Sequence, residues 1–195
     1  IVRGVESVLE EAGYASILVN TDGDGKREER LLDLLLERGV DGIIDAAVTS
    51  QDKKVTSIYE RVPIITANRM GFGSGIPAVI NDDAAGIKKM FDLLIAKGHE
   101  NIGYIGGPER LSTGEIRNRA FKEAAAINGL VLNAKNTVFA NNYTEEDGLN
   151  CADSIFSNSP DITAILCAND RLAIGAIEAA NSRNLKCPYN VSITG

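Results

Sequence analysis

One histidine, three cysteines and an aromatic content of 5% are the first limits that this 195-residue chain sets on its chemistry. His99 stands alone after Gly98, where a helical pattern ends, so no serine or cysteine has an imidazole placed to take its proton. Cys151, Cys167 and Cys187 are odd in number and widely spaced. That spacing matches no metal site and reads as reduced thiols in a cytoplasm. The phosphate-cradling pattern Gly-x-x-x-x-Gly-Lys-Ser/Thr is absent, and Gly71-Phe72-Gly73-Ser74-Gly75 lacks the strand-to-helix context of a dinucleotide loop. Asp22-Gly23-Asp24-Gly25-Lys26 opens like a calcium loop but lacks the later ligands and the terminal glutamate. Asp82-Asp83 falls at a helix start, where the macrodipole favours acids. No apolar run reaches the roughly 18 residues of a membrane helix. The net charge of −7 denies this segment the basic face that grips nucleic acid. These absences predict a protein without catalytic activity, metal or cofactor.

What is present suffices for a packed core: 44% hydrophobic and 24% charged residues, as in ordinary globular proteins. Residues 1–13 read as a helix with Val2, Val5, Val8 and Leu9 on one face, followed by a strand at 15–20. A helix over 28–38, a strand from Val40 to about Asp45, a weaker helix over 51–61 and a strand over 63–67 come next. A glycine-rich loop (70–77), a short strand (78–80) and a helix (84–97) complete the first half. The second half repeats the alternation, with strands at 102–105, around Val138-Phe139, at 164–167 and at 191–194. Helices at 113–128, from Thr144 or Glu145 to about 157, and at 170–184 lie between them. Alternating strands and helices with strands this short predict an α/β protein with parallel sheets covered by helices. A break near residue 100 divides it into two lobes, 1–100 and 101–195, with a cleft between them.

Ligands of such sheets bind at the carboxyl ends of the strands. Asn20 and Thr21, Asp45, Asn68 and Arg69, Leu111 to Thr113 with Arg117, and Asn169 with Asp170 fall there. Amide, hydroxyl and guanidinium groups suit a neutral polar small molecule with vicinal hydroxyls or a nucleobase edge. Plainer roles fit the same residues: Thr113 and Asp170 stand where helix caps belong, Asn68 suits a turn, and Arg117 suits a solvated helix face. No aromatic residue stands at an evident strand end to stack on a sugar ring.

Lys97-Gly98-His99 followed by NIGYIGGP, then Ser112-Thr113 and Arg117 before Phe121, resembles the effector-binding domain of LacI/GalR-family transcriptional regulators. Val40 to Ile44, Thr163 to Asp170 with Ala173, Gly175 and Ala176, and Val191 to Gly195 look like three further blocks of that family, in its order. The resemblance implies a periplasmic-binding-protein-like type I fold of two Rossmann-like lobes, as a homodimer. It implies a DNA-reading helix-turn-helix upstream, and a small effector, a sugar or nucleobase-like molecule, bound between the lobes to control DNA affinity. By position, Asn68, Arg69, Thr113, Arg117 and Asn169 match cleft-lining polar positions and Leu166 an apolar wall. The first strand of the N-terminal lobe and the end of the C-terminal lobe are expected outside this chain. Asn68 replaces an aspartate common at its position in the family. A periplasmic sugar-binding protein of a transporter is the alternative, with the same fold. Arg117→Ala is expected to abolish effector binding and leave the fold intact.

Overall fold

The computed structural model describes residues 1–47, 57–58, 60–70 and 75–195. Two parallel sheets organise them. The larger is ordered β5-β4-β6-β7, comprising β4 (Ile102–Gly106), β5 (Thr137–Phe139), β6 (Ala164–Cys167) and β7 (Ser192–Thr194). Every residue of β4 and β6 is buried, as their unbroken apolar runs require of strands covered on both faces. Alternation sorts their side chains. Ile105, Ile165 and Cys167 pack with Ile155 and Phe156 of α5 (Glu145–Asn158) and Leu172 and Ala176 of α6 (Asp170–Ser182). Ile102, Tyr104, Ala164 and Leu166 pack on the other face with α3 (Asp83–Ala96) and α4 (Ser112–Ile127), through Ile87, Phe91, Phe121 and Ala124. Tyr104 stacks on Phe121 at 4.1 Å and Phe91 meets Phe121 edge-on at 5.5 Å, contacts worth about 0.5–1.5 kcal/mol each beyond burial. Helix α3, which precedes the expected break near residue 100, thus has its packed face in the core of the second sheet.

Helices α5 and α6 touch at glycines. A Cβ on Gly175 would stand 1.9 Å from the Glu145 carbonyl oxygen, and one on Gly148 2.3 Å from that of Leu172. Thr144 caps α5 by accepting from the Asp147 N–H, and Asn169 caps α6 by accepting from that of Leu172.

The smaller sheet is ordered β1-β2-β3, from β1 (Ile43–Asp45), β2 (Ile64–Ala67) and β3 (Ala78–Val79). Its core joins Ile43 and Ile64 to Leu32 and Leu35 of α2 (Gly25–Glu37), with Ile58 and Val62. Asp24 caps α2 by accepting from Lys26 and Arg27, and these backbone donors, that of Arg27 first, hold its carboxyl below the usual carboxylate range. The loop resembling a calcium site is therefore a helix cap. Helix α1 (Val2–Glu11) buries none of its residues. The strand expected at 15–20 does not form: no neighbouring strand pairs with it among the described residues, and Ile17 and Leu18 are exposed. An apolar run becomes a strand only where a ladder accepts its backbone groups. The helix expected over 51–61 lies outside the described residues except at 57, 58, 60 and 61, where Ser57 and Ile58 are helical. Half of the expected glycine-rich loop, 71–74, lies outside them as well.

Candidate functional site

The site grows from the turn after β4. Gly106 and Gly107 are required there because two aromatic rings press on the backbone. A Cβ on Gly106 would stand 2.5 Å from Phe139, and one on Gly107 2.2 Å from the Tyr143 Oη. The Leu111 N–H donates to the Pro108 carbonyl at 3.1 Å, and a Cβ on Gly114 would stand 2.1 Å from that carbonyl oxygen. This turn delivers the start of α4 beneath Tyr143. No side chain caps α4, whose N-cap is Leu111. The first N–H groups of a helix have no partner within it, so this end offers donors and a partial positive charge.

Thr113 and Arg117 are one turn apart on α4. The Tyr143 hydroxyl donates to Thr113 Oγ1 at 3.3 Å, and the Arg117 guanidinium lies 5.9 Å from the Tyr143 ring centroid. Arg117 Nε and Nη2 both donate to Asp83 Oδ1, at 3.1 and 2.6 Å, and Nη1 donates to the Ala168 carbonyl at 2.6 Å. Asp83 opens α3 and Ala168 follows β6, so one guanidinium ties three elements together. Arg117 therefore has a structural part as well: replacing it with alanine leaves the half-buried Asp83 carboxylate without its cation. Tyr104, below in the sheet, carries a buried hydroxyl with no partner; burial pushes its pKa well above the ordinary phenol value.

On the side of the smaller sheet, Asn68 adopts φ +67°, a left-handed conformation that asparagine tolerates, so its turn-forming role is real. Its Oδ1 accepts from Asn81 Nδ2 at 3.4 Å. Arg69 Nη1 donates to the Ala47 carbonyl at 3.2 Å, while its Nε is buried without a partner. The Met70 N–H donates to the buried Ser112 Oγ at 3.0 Å, joining the turn after β2 to the start of α4. An open depression of about 300 Å³ adjoins Asp83, lined by Ile80, Asn81 and Ile116 among others.

The structure thus brings Thr113 and Arg117 together, with the backbone beside Asn169. Thr113 is not the cap of α4, and Asn169, not Asp170, caps α6 through an Oδ1 that accepts from the Leu172 N–H at 3.0 Å. Leu166 lies in the core against α3 and α4, 1% exposed. Two residues of the cluster escaped the sequence. Tyr143 supplies an aromatic group from a loop rather than a strand end; its signal is its place just before the cap of α5, a strand-to-helix turn equivalent to the one that carries Thr113. Asp83 was explained by the macrodipole alone. Burial pushes the thiols of Cys151, to about 11, and Cys167 upward, so both stay protonated and poor nucleophiles. No helix among the described residues is long and apolar enough to cross a membrane, and none of their His, Cys, Asp and Glu side chains form a metal-sized group.

Polar side chains gathered at the carboxyl ends of a parallel α/β sheet define a small-ligand-binding domain. The chain belongs to the family described as "Periplasmic binding proteins and sugar binding domain of LacI family", which matches residues 1–195. It is 27% identical over 197 residues to the HTH-type transcriptional repressor PurR of Histophilus somni (strain 2336), covering 100% of this chain and 59% of that protein. It is 30% identical over 194 residues to catabolite control protein A of Staphylococcus xylosus, covering 99% and 58%. The crystal structure of the transcription regulator CcpA of Lactococcus lactis superposes with a TM-score of 0.89 at 25% identity, covering 98% of this chain and 70% of that one. The chain spans about 59% of the length of the first of these relatives. Two of these relatives are named as transcriptional regulators, the PurR repressor and CcpA of Lactococcus lactis.

Proposed function

We propose that this chain is the ligand-binding and dimerising core of a bacterial LacI-type regulator, acting as a repressor in the cytoplasm. A small polar effector, a sugar or nucleobase-like molecule, binds between two lobes and changes the affinity of an upstream helix-turn-helix for operator DNA. The observation that carries the reading is the cluster of Thr113, Tyr143 and Arg117 at the uncapped start of α4. Hydroxyls, a guanidinium and an aromatic face are the groups that take a ring bearing oxygen atoms. Asn68 and Arg69 bind from the opposite lobe, Asn169 from beside Ala168, and Leu166 backs the floor. The packing of α3 on the second sheet supports a crossing between lobes at residues 80–82 rather than near 100. Repressors and regulators among the relatives support the DNA partner, and Ile174, exposed on α6, offers an apolar contact for a second copy.

A thermal-shift screen of the full-length protein against sugars, nucleosides, nucleobases and their phosphates tests the reading. A ligand of the native state raises the melting temperature, and operator affinity must then change when it binds. A binder whose effect survives in both Thr113→Val and Tyr143→Ala would place the site elsewhere.

A further inference from the structure

The Arg117 guanidinium is committed to a carboxylate before any ligand arrives. Asp83 Oδ1 receives both its Nε–H and an Nη2–H, and the two side chains are only 18% and 8% exposed, Arg117 first. A helix start explains an acid at this position but not its orientation. Asp82 already caps α3, accepting from the Ala85 N–H at 2.9 Å, so Asp83 is free to turn towards α4. Of the five N–H groups of a guanidinium, three are taken by Asp83 and Ala168, which leaves two for a ligand.

We infer that Asp83 is a positioning and specificity-determining residue: it fixes the plane of Arg117 beside Thr113 and Tyr143 and cancels its charge, so the site takes neutral polar ligands and rejects phosphorylated or carboxylated ones. This rests on the reading that the ligand binds beside Arg117. The remaining groups agree with the inference. Thr113 Oγ1 accepts from Tyr143 and keeps its own proton to donate. The first N–H groups of α4 add donors without a full charge. The result is rich in donors and close to neutral, which suits the carbonyl and hydroxyl oxygens of an uncharged molecule. An anion at the free side of Arg117 would instead bring its charge towards the Asp83 carboxylate, which already uses the guanidinium.

The test uses the full-length protein as wild type, Asp83→Asn, Asp83→Glu and the double variant Asp83→Asn/Arg117→Gln. Asparagine keeps the shape and the accepting Oδ1 and removes the charge. Inorganic phosphate is the probe, read by melting temperature against chloride at equal ionic strength. The wild type and Asp83→Glu are expected to ignore phosphate. Asp83→Asn is expected to gain a phosphate-dependent rise corresponding to at least about tenfold tighter binding, and the double variant to lose it. A merely structural carboxylate would produce no such gain. Asp83→Asn that melts cooperatively yet ignores phosphate overturns the inference, as does a wild type that responds equally. Should Asp83→Asn not fold, the wild type decides the matter: each neutral sugar or nucleoside is compared with its own monophosphate. Tighter binding of the monophosphates overturns the inference, and preference for the neutral parents supports it. If no organic compound binds the wild type at all, the effector reading fails, while the phosphate responses of the variants still judge Asp83.

Discussion

Ile44 in β1 and Ile105 in β4 each sit inside a parallel strand, yet Ile44 is 44% exposed and Ile105 is fully buried. The larger sheet has helices on both faces, closed by the glycine contacts of α5 and α6 and by the aromatic stack of Tyr104 on Phe121. Among the described residues the smaller sheet has a core on one face, while Ile44 and Val79 are exposed. The difference teaches where the candidate site gets its rigidity. Thr113 and Arg117 stand on α4, whose apolar face is locked into the larger core, and the loop residue Tyr143 packs against that sheet's other core, so their geometry is set in advance. The smaller sheet contributes a turn, Asn68 to Met70, joined to α4 through Ser112.

The sharpest way to break this comparison is to overpack one side and not the other. Gly175→Ala forces a methyl group against the Glu145 carbonyl and is expected to cost about 3 kcal/mol. Ile44→Thr, on the open face of β1, is expected to stay within about 0.5 kcal/mol. Urea unfolding of both variants checks the pair, and equal losses would abolish the distinction. A step smaller, Arg117→Ala is expected to lower stability by about 2–3 kcal/mol, because it strands the Asp83 carboxylate at a partly shielded position, and to remove the ligand response. Arg69→Ala, which loses the bond to the Ala47 carbonyl, is expected to cost about 1 kcal/mol or less.

A further small effect, of opposite sign, concerns Tyr104. Its hydroxyl is buried and unpaired, so Tyr104→Phe is expected to be neutral or to stabilise by up to about 1 kcal/mol at neutral pH. The sign with pH follows from burial. The folded protein holds the phenol protonated well above its ordinary 10.0, while the unfolded chain releases the proton near that value. Full stability is therefore present below pH 10 and lost as pH rises beyond it, and Tyr104→Phe is expected to flatten that loss. Melting curves on either side of pH 10 provide the check.

The larger sheet was legible in the sequence because continuous apolar strands between amphipathic helices leave one architecture open. Asn101 to Phe121 showed its strand, turn and helix in order, and Thr113 and Arg117 follow from the spacing of that helix. Other features were hidden for physical reasons. The link of Arg117 to Asp83 joins residues 34 apart through tertiary packing, which no local pattern carries. Tyr143 lies in a loop with no period to announce it. The residues at 15–20 have the composition of a strand, but composition does not supply a pairing partner. Leu166 alternates with Ile165 and Cys167 in a strand buried on both faces, so sequence alone could not say which residues touch a ligand and which only fill the core. The side to which α3 belongs was equally hidden, because an amphipathic helix does not say which sheet its apolar face will meet.

Amide hydrogen exchange of the full-length protein, with and without the effector found by screening, tests the central claim most directly. The account predicts slowed exchange at 68–70, 107–114, 141–144 and 168–170. It predicts no change at Leu130 to Asn136, a segment of which Leu130 to Asn133 and Asn136 line a separate small pocket at the opposite end of β4. Slowed exchange confined to Leu130 to Asn136, with the start of α4 unaffected, would contradict it.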